Sequence, residues 1–191
     1  MSSSPVGSQA VVIGAGMGGL AAAAAVAEHF DRVTILDRDS LPQAPSHRSG
    51  TPQSRHLHAL LAGGLQALCD LLPGFEEDLV RAGAVPLRGG LDIRTERPGF
   101  DPFPARDVSI RVYAMSRPLL EFTVRERLQK TKNVEIRSMV RVTEIVPSPD
   151  GARATGVRVV DEDGTAGFFA ADLVIDSSGR GVPTIAFLQA T

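Results

Sequence analysis

The alternation of apolar runs and polar breaks over residues 9–39 predicts a strand, a helix and a second strand. Residues 9–13 form a short apolar run that glycines interrupt, and residues 20–30 are rich in alanine, which has the highest helix propensity. Residues 32–37 form a second apolar, β-branched run. A strand, a glycine turn, a helix and a strand in this order predict a βαβ unit, whose two strands are parallel and buried on both faces.

The middle of the chain predicts three helices. Leucines recur at helical spacing over residues 57–72, and Ser54 is a suitable N-cap for that helix. Residues 75–82 predict a short helix, and Ser116 is a suitable N-cap for a helix over residues 117–130.

The last third of the chain predicts strands separated by turns. The apolar runs are residues 134–137, 140–146, 154–160, 167–170 and 173–176. The run at 173–176 is of the buried parallel type, whereas tight turns join the runs between about 140 and 170 and predict an antiparallel β-meander. We therefore predict a Rossmann-like, doubly wound α/β domain over residues 9–191 with this meander inserted, after a disordered tail at residues 1–8.

Composition narrows the class of protein. The net charge is −2, charged residues make up 22% of the chain and aromatic residues 5%, so we expect neither a nucleic-acid partner nor a base-stacking surface. Cys69 is the only cysteine, which excludes a disulfide within the chain and fits a cytoplasmic location. No apolar run is long enough to predict a membrane span.

The glycine-rich turn carries the clearest motif. The pattern G-x-G-x-x-G is formed by Gly14, Ala15, Gly16, Met17, Gly18 and Gly19. The first glycine of the motif permits a tight turn, the second lets a pyrophosphate approach the backbone, and the third allows close packing of helix on strand. The helix N-terminus supplies N–H groups and partial positive charge, so the pattern predicts a dinucleotide site.

An acidic residue ends the second predicted strand. Asp37 lies 18 residues after Gly19, where a carboxylate can accept hydrogen bonds from ribose hydroxyls. Its charge argues against a 2′-phosphate and therefore against NADP at this site. The alternative is a chance glycine turn at the start of an alanine-rich helix.

Four segments resemble the class A-like FAD-dependent monooxygenases, and most of all the branch that contains polyketide and terpenoid epoxidases. The segments are residues 12–20 with the Asp37-Arg38 pair, 53–61, 116–121 and 171–181. Many flavoproteins share the first, whereas the second and fourth together are more specific. The resemblance implies that the dinucleotide is FAD and that the sheet is of the FAD-binding, glutathione-reductase type.

The resemblance also implies further cofactor-binding residues. Arg38 would join Asp37 in the site, and Val140 would contact the adenine through its backbone. Arg55 and Arg117 would lie near the diphosphate, which suits a permanently charged guanidinium. From spacing alone, surface salt bridges explain these two arginines equally well.

Asp176, Ser178 and Gly179 end the last predicted strand, at the sheet edge where such folds bind ligands. We include them as candidate cofactor contacts, and a plain strand-to-helix turn is the alternative. Aromatic hydroxylases of the family carry an Asp-Gly pair here that serves both FAD and the nicotinamide nucleotide. Ser178 occupies the Asp position and Val182 stands where serine is common, which argues against direct NAD(P)H docking on this segment.

The histidines and the cysteine do not form a pattern that predicts a metal site or a catalytic site. His56 and His58 are two residues apart, so they face away from each other on the predicted helix and do not share a metal ion. Cys69 lies on the apolar stripe of its helix and is expected in the core. We nominate no metal ligand and no catalytic residue.

The resemblance implies a FAD-dependent monooxygenase that hydroxylates or epoxidises an organic small molecule such as a polyketide or terpenoid, with NAD(P)H as electron donor. The family's second flavin motif, a Gly-Asp turn, and its substrate-binding sheet are absent from the sequence, so the chain resembles the N-terminal, ADP-binding portion. One alternative is a non-catalytic remnant or half of a split flavoprotein, whose exposed apolar surface self-association or a partner chain would cover. Another is a FAD-dependent halogenase or polyprenyl reductase.

Overall fold

The computed structural model describes residues 5–191. The described residues form ten strands, which are β1 Gly7–Ile13, β2 Phe30–Leu36, β3 His58–Leu60, β4 Val85–Arg88, β5 Arg111–Met115, β6 Val134–Arg137, β7 Arg141–Pro147, β8 Ala154–Val160, β9 Ala166–Ala170 and β10 Leu173–Asp176. They also form five α-helices, which are α1 Met17–Val26, α2 Ala62–Leu71, α3 Phe75–Arg81, α4 Arg117–Gln129 and α5 Val182–Ala190. None of these helices has the length and apolar character that crossing a membrane requires.

The chain divides into two compact units. The first unit comprises the described residues up to Pro52 together with Val124–Thr191, and the second unit is Gln53–Thr123. Helix α4 begins in the second unit and continues into the first.

A parallel sheet of four strands, in the order β10-β1-β2-β6, forms the centre of the first unit. In β1, Ala10, Val11 and Val12 are fully buried, as a parallel strand covered on both faces requires. Ile13 lies opposite Leu36 on one side and Asp176 on the other, so β1, β2 and β10 end at the same edge of the sheet. Ligands of open α/β sheets bind at that edge.

The predicted β-meander packs against this sheet. Strands β7, β8 and β9 pair antiparallel in that order. Ile145 and Val157 of the meander are buried in one apolar cluster with Val11, Ile13 and Leu36 of the parallel sheet. The predicted fold class, a Rossmann-like parallel sheet with an antiparallel meander, is confirmed.

The second unit has its own small antiparallel sheet, in the order β3-β5-β4. Phe75 and Leu79 of α3 are fully buried, and the hydroxyl of Tyr113 on β5 donates to the Glu76 carboxylate at 2.5 Å. The Ser116 hydroxyl accepts a hydrogen bond from the Leu119 N–H at 3.2 Å, so the predicted N-cap of α4 is present.

Strand β1 starts earlier than the sequence pattern predicts. It begins at Gly7, so residues 7 and 8, which we expected in a disordered tail, lie in the sheet. The Asp172 carboxylate holds this end by accepting hydrogen bonds from the N–H groups of Ser8 and Gln9 at 2.8 and 3.0 Å. Residues 1–4 of the predicted tail lie outside the described residues.

The helix expected over residues 20–30 ends early, at Val26. A 3-10 turn follows, and Phe30 already belongs to β2. The Asn133 side chain donates to the carbonyls of Ala27 and Phe30 at 2.6 and 2.9 Å, so a distant residue satisfies the groups that a longer helix would have paired.

The prediction of a helix from Ser54 through residue 61 is wrong. Residues 58–60 form β3, which pairs with β5, and the helix begins only at Ala62. Leu57 is 97% exposed and Leu61 64% exposed, so these leucines do not continue a buried helical stripe. The helical spacing was therefore fortuitous at this end, and backbone pairing with β5 decided the conformation.

Candidate functional site

The glycine turn connects β1 to α1 at the edge of the parallel sheet where β1, β2 and β10 end, and two of its glycines are sterically required. Gly14 has φ +99°, and a Cβ there would lie 2.7 Å from the Ser177 carbonyl oxygen. A Cβ on Gly19 would lie 1.8 Å from the Gly14 carbonyl oxygen. Any side chain at either position would force the helix away from the strand or separate the turns that follow β1 and β10.

Gly16 has a different environment, because its missing side chain leaves open space. Within 4 Å of an ideal Cβ, the only described atom beyond the chain neighbours is Nη2 of Arg48, at 3.9 Å. Gly16 is also the N-cap residue of α1, and within residues 5–191 no side chain makes a capping hydrogen bond to this helix start. An uncapped helix N-terminus behind a side-chain-free surface suits an anion.

Asp37 is buried directly beneath the glycine turn. One carboxylate oxygen accepts the N–H of Ala15 at 2.6 Å, and the other accepts the N–H of Asp39 at 2.8 Å. These bonds fix the turn on the end of β2, a structural role that the sequence did not predict. Nη1 of Arg48 also lies 3.4 and 3.5 Å from these two oxygens, at the long limit of a hydrogen bond, so a hydroxyl donor would share the second lone pairs with this guanidinium.

Arg48 is the residue of this site that sequence reasoning missed. Its side chain is only 7% exposed, and its Nη1 lies 2.8 Å from Asp39 Oδ2 and 3.4 Å from Asp37 Oδ2. The guanidinium therefore lies beside both acids, next to Gly16. Arg48 comes from an irregular loop, for which no periodicity or motif spacing predicts a position.

Two further residues predicted to bind the cofactor, Val140 and Arg38, lie at the end of β2. The Val140 N–H donates to the Asp37 carbonyl at 2.9 Å, which places Val140 beside Asp37 and engages its N–H within the protein. Met139 has φ +60°, and its N–H donates to the Asp39 carbonyl at 3.2 Å. Arg38 is exposed next to them. The structure thus brings Gly14–Gly19, Asp37 and Val140 together within the first unit.

The turn after β10 lies next to the glycine turn, but its polar groups bond to one another. The Asp176 carboxylate accepts the N–H of Ser178 at 2.9 Å and the hydroxyl of Thr184 at 2.7 Å. The Ser178 hydroxyl accepts the N–H of Gly181 at 3.3 Å, and Gly179 has φ +86°. Although burial raises the pKa of Asp176, hydrogen bonds from Ser178 and Thr184 outweigh it and lower that pKa. These bonds are those of a strand-to-helix turn.

Arg55 and Arg117 belong to the second unit. Arg55 is exposed at the end of a short 3-10 helix. Arg117 begins α4, and its Nε lies 3.5 Å from Oε2 of the buried Glu121. His58 on β3 is half-buried, and burial together with the Arg117 charge lowers its pKa.

The comparisons with known proteins cover most of the chain. A family model described as NAD(P)-binding Rossmann-like domain matches residues 12–62, which include the glycine turn, Asp37 and Arg48. Protein Rv3254 of Mycobacterium tuberculosis is 38% identical over 181 residues, which are 90% of this chain and 38% of that protein.

Solved structures of FAD-dependent proteins also match most of the chain. The FAD-dependent halogenase CndH, the myxobacterial chondrochloren halogenase, has a TM-score of 0.65 and 25% identity, covering 90% of this chain and 37% of CndH. PqsL of Pseudomonas aeruginosa, a probable FAD-dependent monooxygenase, has a TM-score of 0.57 and 16% identity, covering 89% of this chain and 40% of PqsL. The chain has the Rossmann-like fold of the FAD-dependent monooxygenases and halogenases. The resemblance to FAD-dependent monooxygenases is thereby confirmed as a likeness of fold over their N-terminal, FAD-binding part.

This FAD-dependent monooxygenase and halogenase fold is shared over only part of the relatives' length. The chain spans 38% of Rv3254, 37% of CndH and 40% of PqsL.

Proposed function

We propose that this chain binds FAD through its ADP half and is the cofactor-binding part of a FAD-dependent monooxygenase. One observation carries the proposal. At the edge of the parallel sheet, an uncapped helix N-terminus, a side-chain-free Gly16, a buried carboxylate and a buried guanidinium meet within one small region. Each of them matches one chemical group of an adenine dinucleotide.

The diphosphate would lie against Gly16 and the start of α1. The helix N-terminus supplies N–H donors, and the Arg48 guanidinium supplies a permanent charge with several donors in a planar fork. Arg48 Nη1 is 3.4 Å or more from both Asp37 oxygens, which is long for a hydrogen bond, so Asp37 does not hold the guanidinium tightly.

The ribose and adenine would extend from Asp37 towards Val140. The remaining lone pairs of the Asp37 carboxylate can accept ribose hydroxyl donors, while its charge would repel a 2′-phosphate. Because the Val140 N–H is already bonded to the Asp37 carbonyl, adenine would contact the backbone carbonyl of Val140 instead. This arrangement favours FAD over NADP at this site.

The bound flavin would supply the redox and oxygen chemistry, and the protein would supply binding, orientation and exclusion of water. The residues described here bind and orient the nucleotide. The proposal also covers the reaction of the whole monooxygenase of which this chain would be the cofactor-binding part. That enzyme would use NAD(P)H as reductant and would hydroxylate or epoxidise a polyketide or terpenoid substrate.

Titration of FAD with the purified chain tests the proposal, with flavin absorbance and fluorescence as readouts. We expect saturable binding, and we expect Asp37→Ala to raise the Kd at least about tenfold, since each lost charge-assisted bond contributes roughly 1.5–3 kcal/mol gross. Urea unfolding of the variant separates lost binding from lost structure. A folded chain that binds neither FAD nor ADP would contradict the proposal.

A second candidate is half of a split flavoprotein, or a non-catalytic remnant, whose apolar surface a second chain covers. Helix α5 supports it, because Val182, Ile185 and Leu188 are 62%, 53% and 67% exposed. Apolar side chains grouped on one exposed helix mark interaction surfaces. Light scattering should then show association that Ile185→Glu abolishes; a monomer in both forms would contradict this candidate.

A halogenase is the third candidate, supported by the likeness to CndH at 25% identity and a TM-score of 0.65. Product analysis of the longer protein with reduced flavin, oxygen and halide separates the two reactions. Halide in the product indicates a halogenase, and an added oxygen atom alone indicates a monooxygenase.

A further inference from the structure

Asp39 collects the hydrogen bonds of the loop that carries Arg48. Its carboxylate accepts Arg48 Nη1 at 2.8 Å, the Gly50 N–H at 2.7 Å and the Ser49 hydroxyl at 3.1 Å. The Asp39 side chain is only 10% exposed. One acid next to the end of β2 therefore holds three consecutive residues of a loop that has no regular structure.

The approach of this loop to Asp39 requires glycine at position 50. A Cβ there would lie 2.4 Å from Asp39 Oδ2 and 3.0 Å from Arg48 Nη1. The Thr51 N–H donates to the Arg48 carbonyl at 3.2 Å and closes a turn around the same residues. The backbone is thus shaped to bring the Arg48 guanidinium onto Asp39.

Nη1 of Arg48 bonds more closely to Asp39 than to Asp37. Nη1 is 2.8 Å from Asp39 but 3.4 Å from the nearer Asp37 oxygen. The other terminal nitrogen, Nη2, lies beside Gly16, on the side where the glycine leaves space. Nη1 of the guanidinium is bonded to Asp39, and Nη2 lies beside the glycine turn.

We propose that Asp39 is a positioning residue, which holds Arg48 over the glycine turn so that the guanidinium meets the cofactor diphosphate. This role rests on the proposed binding of FAD. Fixing a long side chain before the ligand arrives lowers the entropy lost on binding. Asp39 itself makes no contact with the cofactor and acts only through Arg48.

The charge of Asp39 also persists at neutral and mildly acidic pH. Burial raises the pKa of Asp39, but hydrogen bonds from Gly50, Arg48 and Ser49 outweigh that effect and lower it. The Asp39–Arg48 ion pair is therefore intact under ordinary binding conditions.

Asp39→Asn distinguishes a positioning role from a simple effect of charge, because the two predict opposite changes in the affinity for FAD. Removing a negative charge near an anion site would by itself strengthen binding of a diphosphate. If Asp39 positions Arg48, the Kd values for FAD and ADP should instead rise about fivefold or more, while the Kd for adenosine, which has no phosphate, should stay unchanged. Calorimetric titration of the 191-residue chain measures all three.

A double-mutant cycle shows whether the effect passes through Arg48. In an Arg48→Met background, Asp39→Asn should cause no further loss of FAD affinity. Asp172→Asn is the control, since this carboxylate, like that of Asp39, holds neighbouring backbone through N–H groups, those of Ser8 and Gln9, but lies at the opposite end of the sheet. Its FAD affinity should match that of the unaltered chain.

The outcomes separate this role from the proposed function. Three results contradict the positioning role but leave FAD binding by the unaltered chain in place. Asp39→Asn could bind FAD as well as the unaltered chain, or more tightly. Its loss of affinity could also add to the loss caused by Arg48→Met. If the unaltered, folded chain binds neither FAD nor ADP, both are wrong. If Asp39→Asn does not fold, Gly50→Ala disturbs the same contacts without removing charge and should give the same pattern of Kd values.

Discussion

The turn after β1 and the turn after β10 leave the same edge of one parallel sheet, and both are glycine-containing turns that lead into helices. In the turn after β10, Asp176, Ser178 and Thr184 bond to one another and to local N–H groups. In the turn after β1, no described side chain caps the helix, and Gly16 faces open space beside a guanidinium. Both turns lie at the sheet edge where such folds bind ligands, so position alone does not identify the binding site. The two turns differ because the polar groups after β10 bond to one another, whereas the helix start after β1 has no side-chain cap.

The largest expected difference between the turns is steric. Gly19→Ala places a Cβ 1.8 Å from a backbone oxygen, whereas Gly179→Ala meets nothing within 4 Å and costs only the strain of φ +86°. We expect losses of roughly 3 kcal/mol or more for Gly19→Ala and about 1–2 kcal/mol for Gly179→Ala. Urea unfolding measures both, and equal losses would contradict the required close packing at Gly19.

The acids of the two turns should differ in their effect on FAD. Asp37→Ala is expected to raise the Kd about tenfold or more. Asp176→Ala should change the Kd less than about twofold, because its bonds end within its own turn, while stability falls by about 1 kcal/mol per lost bond. A loss of FAD affinity in Asp176→Ala as large as in Asp37→Ala would assign the turn after β10 to the binding site.

Acid should weaken the turn after β10 in a predictable pH range. The pKa of Asp176 is lowered from 3.8 on folding, so the folded protein holds this proton less tightly than the unfolded chain. Its stabilisation is complete above the unfolded pKa and is lost as the pH falls through the lower, folded pKa. The stability difference between the unaltered chain and Asp176→Asn should therefore shrink below about pH 4; a difference that is constant from pH 6 to pH 3 would contradict the assignment.

The smallest effect is expected for Ser178→Ala. This change removes one exposed hydrogen bond, from the Gly181 N–H at 3.3 Å, and should lower stability by about 0.5 kcal/mol with unchanged FAD affinity. The same binding titration checks it, and a several-fold rise in Kd would indicate that Ser178 contacts the cofactor.

Local signals predicted much of the fold and part of the site. Spacing, turn residues and alternation over a few positions predicted three features that the structure contains. These are the glycine turn, the end of β2 at Asp37 and the meander. Strand β3 was missed because its conformation depends on pairing with β5, about fifty residues further along the chain. The end of α1 was misplaced because Asn133, distant in sequence, satisfies the carbonyls there.

Arg48 and Asp39 show what the sequence could not predict in the site. Both lie outside the glycine motif, and the contact between them depends on how an irregular loop folds back on β2. Gly50 approaches Asp39 closely in the structure, but a glycine in a Ser/Pro-rich loop is too common for the sequence to predict such an approach. The arginines that the resemblance singled out, Arg55 and Arg117, lie in the second unit.

Competition for bound FAD distinguishes binding through the ADP half of the cofactor from binding through its flavin. ADP and FMN are added separately to the complex of the chain with FAD, and release of FAD is followed by the recovery of flavin fluorescence. If the chain holds FAD through its ADP half, ADP displaces FAD and FMN does not. Displacement by FMN without displacement by ADP would contradict binding through the ADP half, since the glycine turn, Asp37 and Arg48 would then not be the site that holds the cofactor.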